Sequence, residues 1–168
     1  MSWSSVLSRR HALAAAGGAL ALAGCGFQLR GAEPLRFRSI ALTGFAPRSS
    51  LRDELKSALL AQHVTVEDNP ARAELILQAL TDVRERSVVA TTTAAQVREL
   101  SVRLRFRFRT HTPAGRELTP PTELALARDL SYNETQALAK QYEEADLYRE
   151  MQSDIVAQVL RRLASVRI

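Results

Sequence analysis

Between Leu100 and Arg109 the chain alternates without a break. Leu100, Val102, Leu104, Phe106 and Phe108 hold the even positions; Ser101, Arg103, Arg105, Arg107 and Arg109 hold the odd ones. A strand turns successive side chains to opposite faces, so period two sends every apolar group to one side and four guanidiniums to the other. The run therefore demands a sheet with one dry face and one wet face, and an apolar layer to cover the dry one. Alternate residues stand about 6.6–6.8 Å apart, so Arg103 to Arg109 spans roughly 20 Å.

The flanking sequence supplies the rest of such a sheet. Leu35 to Leu42 is a short apolar and basic run ending at Thr43-Gly44, and it reads as a strand. Ser49 or Ser50 can cap a helix, with Asp53 three residues after Ser50 as in a capping box. Leu51, Leu55, Ala58 and Leu59 then share one helical face, to about His63. Glu67-Asp68-Asn69-Pro70 reads as a loop. Leu75 to about Val89 is rich in strand formers, with Leu75, Leu77, Ala79 and Val83 expected on one side, and Ala90 to Ala95 as a turn. Pro113-Ala114-Gly115 marks a second turn, beyond which Leu124, Leu126 and Leu130 alternate with Glu123, Ala125 and Asp129. A hairpin centred near Ala114 sets Arg105 opposite Glu123 and Leu104 opposite Leu124. The chain closes with Leu147, Met151, Ile155, Val159 and Leu163 at every fourth position, widened by Tyr148, Val156 and Leu160: a long helix with one apolar stripe. The order β-α-β-β-β-α implies an α/β (α+β) sandwich, a mixed, mostly antiparallel sheet of about four strands with two helices packed on it. Its opening β-α-β unit can pair in parallel through a right-handed crossover.

The first residues read as an address. Arg9 and Arg10 precede an apolar run from Ala12 to Ala23, which is too short to cross a bilayer core of about 30 Å. The run ends in Leu22-Ala23-Gly24-Cys25, which matches the bacterial lipobox, where the Cys thiol carries diacylglycerol. Cys25 is the one cysteine among 168 residues, so the fold has no intramolecular disulfide framework and no Cys-rich zinc site. The expected organisation is a cleaved lipoprotein signal at 1–24, an acylated tether at 25–34 and a single domain at 35–168. Several acyl chains on Cys25 would hold the protein stably to a membrane. Position +2 is Gly26 rather than Asp, which points to the outer membrane of a Gram-negative cell, on the periplasmic side. Removing 1–24 takes away two of 23 basic residues and none of 18 acids, so the net charge falls from +5 to 21 − 18 = +3.

That small remainder hides two opposed blocks. Arg84 to Arg109 holds seven Arg and two Glu, whereas Thr110 to Leu160 holds four basic and nine acidic residues. Two readings of the Arg-bearing strand stay open: a wet sheet face balanced by acids such as Glu123, or a surface for an anionic partner. That partner would be a phosphorylated glycolipid or an acidic protein wall, since guanidinium pairs with phosphate and carboxylate bidentately. A concentrated Arg strand beside an acidic helix points there more than to nucleic acid. Nothing in the sequence resembles a catalytic constellation. His63 sits at a helix end and His111 beside a turn, Glu143-Glu144 lie on a polar helix face, and no Gly-rich phosphate loop, nucleophile elbow or HExxH occurs. No enzyme activity, metal or cofactor is expected.

The start Cys25-Gly26-Phe27-Gln28-Leu29-Arg30-Gly31 resembles that of the lipopolysaccharide-assembly lipoprotein LptE family. So do Ala137-Leu138-Ala139-Lys140 after the last strand and the ending Leu160-Arg161-Arg162-Leu163-Ala164-Ser165-Val166-Arg167. The resemblance covers nearly all of residues 25–168. It implies a non-enzymatic outer-membrane lipoprotein that sits inside the lumen of the LptD β-barrel, plugs it, helps it assemble, and binds lipopolysaccharide during its export. Lys140 matches the family's basic position after the last strand. The second basic position, between the second and third strands, is not matched: Thr91-Thr92-Thr93 stand there and the nearest cation is Arg98. The candidate residues are thus Cys25 for lipidation, and Lys140, Arg98, Arg103, Arg105 and Arg107 for lipopolysaccharide. The alternative is an accessory periplasmic lipoprotein of another outer-membrane assembly or lipid-transport complex.

Overall fold

The alternating run lies in the middle of a strand whose even residues are buried from Leu100 to Thr110 and whose odd residues are exposed or half-buried. A computed structural model describes residues 34–94 and 96–168. The strands are β1 (Ser39–Thr43), β2 (Thr65–Glu67), β3 (Leu75–Thr91), β4 (Val97–His111) and β5 (Glu117–Ser131). The helices are α1 (Ser50–Ala61) and α2 (Ala137–Ala164). The expected fold class holds: one mixed sheet with two helices. The sheet has five strands in the order β2-β1-β3-β4-β5, because Thr65–Glu67 adds a short strand beside β1. Three residues are too few to display a period, so β2 carries no sequence signature. β1 pairs in parallel with both β2 and β3, and the two long hairpin connections are antiparallel.

Both helices cover the same face of the sheet, α2 over β4 and β5 and α1 beside α2 and against β2. Leu51, Leu55 and Leu59 of α1, and Met151, Ile155, Val159 and Leu163 of α2, share one core with Leu104, Phe106 and Phe108. Phe106 stacks on Phe108 at 5.3 Å and on Phe45 at 5.7 Å. Full burial of each such side chain stabilises the fold by roughly 1.5–3 kcal/mol. A second, small cluster lies apart from this core, where Ala41, Ala73 and Ile76 pack together. The start of β3 is therefore apolar at consecutive positions rather than alternate ones.

Of the two capping candidates, Ser49 is the N-cap of α1. It holds extended geometry, accepts from the Arg52 N–H at 3.2 Å, and donates from Oγ to Asp82 at 2.6 Å. The helix ends at a left-handed residue, His63, with φ 62°. The His63 N–H donates to the Leu60 carbonyl at 2.9 Å and that of Val64 to Leu59 at 3.1 Å, which satisfies two terminal carbonyls.

Two expectations about register are corrected. β3 slips between Ala79 and Thr81, so Leu75, Leu77 and Ala79 face the core but Val83 does not. It stands opposite Arg105 on the outer face, while Asp82, Arg84 and Arg86 fall on the helix side. In the β4–β5 hairpin, Arg105 lies opposite Ala125 and Leu104 opposite Leu126, two residues beyond the expected partners. The hairpin does start where Pro113-Ala114-Gly115 puts it, with the Thr112 N–H on the Arg116 carbonyl at 2.9 Å. Two one-residue irregularities on β5, at Leu118 and at Pro120-Pro121, then displace the ladder. A proline has no N–H for a ladder bond, so a bulge at that pair is the low-cost arrangement. Because the net slip is two, every side chain from Thr122 onward keeps its face.

Candidate functional site

The outer face of the sheet carries the arginines as a row flanked on both sides. Arg103 stands between Glu85 and Ala127, Arg105 between Val83 and Ala125, and Arg107 between Thr81 and Glu123. Arg105 takes both carboxylates, reaching Glu85 at 3.5 Å and Glu123 at 3.9 Å along the diagonals. Arg109 donates from Nε to Gln78 Oε1 at 2.8 Å. Among the described residues no carboxylate lies within ion-pair distance of Arg103 or Arg107, and both are exposed. The row thus has one neutralised member in its middle and two available cations about 13 Å apart.

Lys140 lies elsewhere. It occupies the first turn of α2, where Nζ donates to Glu143 at 2.7 Å and to Ser131 Oγ at 3.1 Å, and its side chain is only 15% exposed. Ser131 pairs with Glu99, which places Lys140 about four residue rises, or roughly 13 Å, beyond Arg103 along β4. Arg98 shares this end, since the Tyr132 N–H donates to the Arg98 carbonyl at 2.8 Å. Arg98 is out of line with the arginine row: β4 takes an extra residue there against β3, and Val97 rather than Arg98 packs on the core. The five cationic candidates therefore separate into a row on the open sheet face and a pair at the end of the sheet. Cys25 lies outside the described residues.

The β3 slip brings further groups to the helix side that sequence reasoning missed. Arg86 lies 3.6 Å from Glu144 and over the Tyr132 ring at 6.0 Å, close to the Lys140 end. Arg84 donates to Ser50 Oγ at 2.7 Å and to Gln152 Oε1 at 2.8 Å, and sits over the Tyr148 ring at 5.3 Å. Gln152, almost fully buried, also donates to the Ser50 carbonyl and to Glu54. Ser50, Glu54, Arg84 and Gln152 line an open groove of about 840 Å³ between α1 and α2. The Tyr148 hydroxyl donates to the Glu85 carbonyl at 2.6 Å; burial above all, and then Glu144, pushes its pKa above the ordinary 10.0. Arg84 and Arg86 flank Glu85 in the sequence, but the face they take depends on a bulge that no residue announces.

His111 Nδ1 lies 2.9 Å from the Thr112 carbonyl, at the turn where it was expected. Among the described residues no group of three His, Cys, Asp or Glu side chains could hold a metal ion, and no helix is long and apolar enough to cross a membrane.

Comparison with known proteins adds the family. No curated protein matches the chain. Three solved structures are similar. One is the solution structure of an uncharacterized lipoprotein B from Nitrosomonas europaea, with 30% identity and a TM-score of 0.71 over 83% of this chain and 91% of that one. A minor lipoprotein from Acinetobacter baumannii has 24% identity and a TM-score of 0.64, over 79% and 94% of the two chains. The rare lipoprotein B from Shewanella oneidensis has 24% identity and a TM-score of 0.64, over 76% and 94%. The last two support the fold alone. The model of the family described as "LptE: Lipopolysaccharide-assembly" matches residues 37–163, from before β1 to the last turn of α2. With the sheet order, both helices and most of its length accounted for, the chain belongs to the LptE family of lipopolysaccharide-assembly proteins.

Proposed function

We propose that this protein is an outer-membrane lipoprotein, acylated at Cys25 after removal of residues 1–24, whose domain plugs an LptD-type β-barrel, helps it assemble, and binds lipopolysaccharide on its way to the outer leaflet. It acts by binding and by shape, and catalyses no reaction. Family membership supports the general role. The observation that carries the binding part is the exposed pair Arg103 and Arg107, left without carboxylates while Arg105 takes both neighbours. A large barrel's lumen is polar, which suits a plug with one wet, charged sheet face. Phosphate groups of the glycolipid suit the guanidiniums and the Lys140 ammonium.

The test uses purified lipopolysaccharide and the full chain. Lys140→Asp, Arg103→Asp and Arg107→Asp should each lower affinity, and the loss should shrink as salt screens the exposed charges. Arg105→Asp is a poorer probe, because it sets three carboxylates together and disturbs the sheet. Unchanged affinity in all three useful variants would remove lipopolysaccharide as the ligand of these cations. Recovery of the lipidated protein from outer membranes as a free monomer, with no large barrel protein attached, would remove the plug.

A further inference from the structure

We propose that the free edge of β5, from Thr122 to Leu130, is a docking site for an extended strand of another protein chain. That strand would carry carboxylates opposite Ala125 and Ala127, and basic or neutral side chains opposite Glu123 and Asp129.

Three observations lead there. The first is the edge itself. β5 ends the sheet and bonds to β4 alone among the described strands. A strand in that position presents unpaired N–H and C=O groups along its outer side. Pro120 and Pro121 close the early part of this edge, but from Thr122 to Ser131 the ladder with β4 runs without a slip.

The second is a guard over the same stretch. Arg128 Nη1 donates to the Ala127 carbonyl at 2.9 Å, and Nη2 lies 3.6 Å from Asp154 on α2. A guanidinium thus occupies a ladder acceptor that a neighbouring strand would otherwise take. The Arg128–Asp154 pair is well exposed and weak, so an incoming strand can displace it.

The third is the side-chain relief of the outer face. Ala125 and Ala127 are short and exposed, so beside the arginine row the edge strand forms a low step. An added strand would lie two spacings, about 9.5 Å, from β4. An arginine crossing over an alanine and a glutamate reaching back from the added strand together cover that gap. Arg103 is level with Ala127, and Arg105 with Ala125, with Arg107 on the next diagonal. At the two ends, Glu123 and Asp129 ask for the opposite sign or none.

A second copy of this chain fits poorly in the register that pairs the whole stretch from Glu123 to Asp129. Edge-to-edge pairing that keeps both outer faces together and centres on Leu126 sets Glu123 against Asp129 and Ala125 against Ala127. Like charges then oppose each other, and the arginines gain nothing. The edge shares Arg103 and Arg107 with the proposed lipopolysaccharide surface, but strand pairing is read at the backbone amides of 122–130 with no lipopolysaccharide present, so failure of lipopolysaccharide binding leaves it standing.

The probe is the peptide Lys-Thr-Glu-Val-Glu-Thr-Lys, whose charge pattern is the same in both directions, added to the full chain in detergent. The control is its charge-reversed counterpart, Glu-Thr-Lys-Val-Lys-Thr-Glu. Amide hydrogen exchange at residues 122–130 should slow with the first peptide and not with the second. The double variant Arg103→Gln/Arg107→Gln should weaken the effect about threefold to tenfold, the size expected for exposed ion pairs. Arg128→Ala should strengthen it. Equal protection by both peptides, protection only outside β5, or none would overturn the proposal. So would protection that rises with protein concentration in the absence of peptide, because the edge would then belong to a second copy.

Discussion

Arg84 on β3 donates to the Oε1 of Gln152 on α2 at 2.8 Å, across 68 residues of sequence. The same guanidinium nitrogen reaches Ser50 at the start of α1, so one side chain ties the sheet to both helices. Arg84→Met keeps most of the apolar stem over Tyr148 and removes the donor from an amide that is only 6% exposed. That oxygen still accepts from Ser50 Oγ at 2.7 Å, so the loss is one hydrogen bond rather than an orphaned acceptor, about 0.5–1.5 kcal/mol. The midpoint of urea unfolding should fall accordingly with an unchanged slope. Arg84→Lys should recover only part of it, because an ammonium lacks the planar fork.

Gly44 and Gly115 both have positive φ, 77° and 85°, yet they should respond differently to alanine. At Gly115 a Cβ meets nothing, so only the left-handed backbone is penalised, at about 1–2 kcal/mol. At Gly44 a Cβ would stand 2.2 Å from the Ala79 carbonyl oxygen, at the residue where β3 slips. Backbone cannot swing aside as a side chain can, so Gly44→Ala should cost well beyond the Gly115→Ala value. Paired thermal unfolding of the two variants measures the difference; equal losses would show that β1 and β3 can move apart there.

The sequence was most legible where one periodicity ran unbroken. Leu100 to Arg109 and the stripe from Leu147 to Leu163 each gave the element, its buried face and its neighbours' chemistry. It was illegible where a face depended on a bulge. Val83 follows Ala79 by an even count and still faces the opposite side, because the slip between Ala79 and Thr81 inverts the phase. Leu80, exposed beside it, gives no composition cue for a bulge. The β4–β5 displacement had a visible cause in Pro120-Pro121, but proline marks where a ladder breaks, not by how many residues. For the candidate site, the arginine row was legible as a row. The division of its charge was not: that Arg105 alone takes Glu85 and Glu123 follows from diagonals set by those same slips.

Thr110 continues the even face of β4 past Phe108 and is fully buried, and its hydroxyl has no hydrogen-bond partner among the described residues. Burying such a group unpaired costs about 1–3 kcal/mol. Thr110→Val keeps the branched shape and the strand preference and removes the penalty. It should therefore raise stability by about 1 kcal/mol or more, seen as an increase of several degrees in Tm. A loss instead would mean that the hydroxyl is satisfied by a water in the core.

Tyr148 gives a pH signature at the alkaline end. Its folded-state pKa is raised, first by burial and then by Glu144, while the unfolded chain titrates near 10.0. Below 10.0 both states hold the proton, and the contribution of Tyr148 to stability is fully present. As pH rises through 10.0 towards the folded value, the unfolded state releases its proton first, and that stability is lost. Tyr148→Phe should be less stable than the parent at neutral pH, since the bond to the Glu85 carbonyl is gone, and the gap should narrow above 10.0. Chemical unfolding of both proteins on either side of that pH tests the sign; a gap that widens would contradict it.

Lys140, a lipopolysaccharide candidate from the sequence, has its ammonium already engaged with Glu143 and Ser131. An anionic ligand must compete with Glu143 for the same charge. The glutamate is about half exposed, so its grip is weak and of the order of an i,i+3 helix pair, about 0.2–0.5 kcal/mol. Glu143→Gln should free Lys140 and also remove a repelling charge, tightening lipopolysaccharide binding at low salt by about twofold to fivefold. Lys140→Ala in the same background should abolish the gain, and high salt should erase it in either protein. If Glu143→Gln instead leaves affinity unchanged while Lys140→Asp lowers it, the aspartate acts by repulsion at the end of the sheet. The cations that hold the ligand would then be those of the open face.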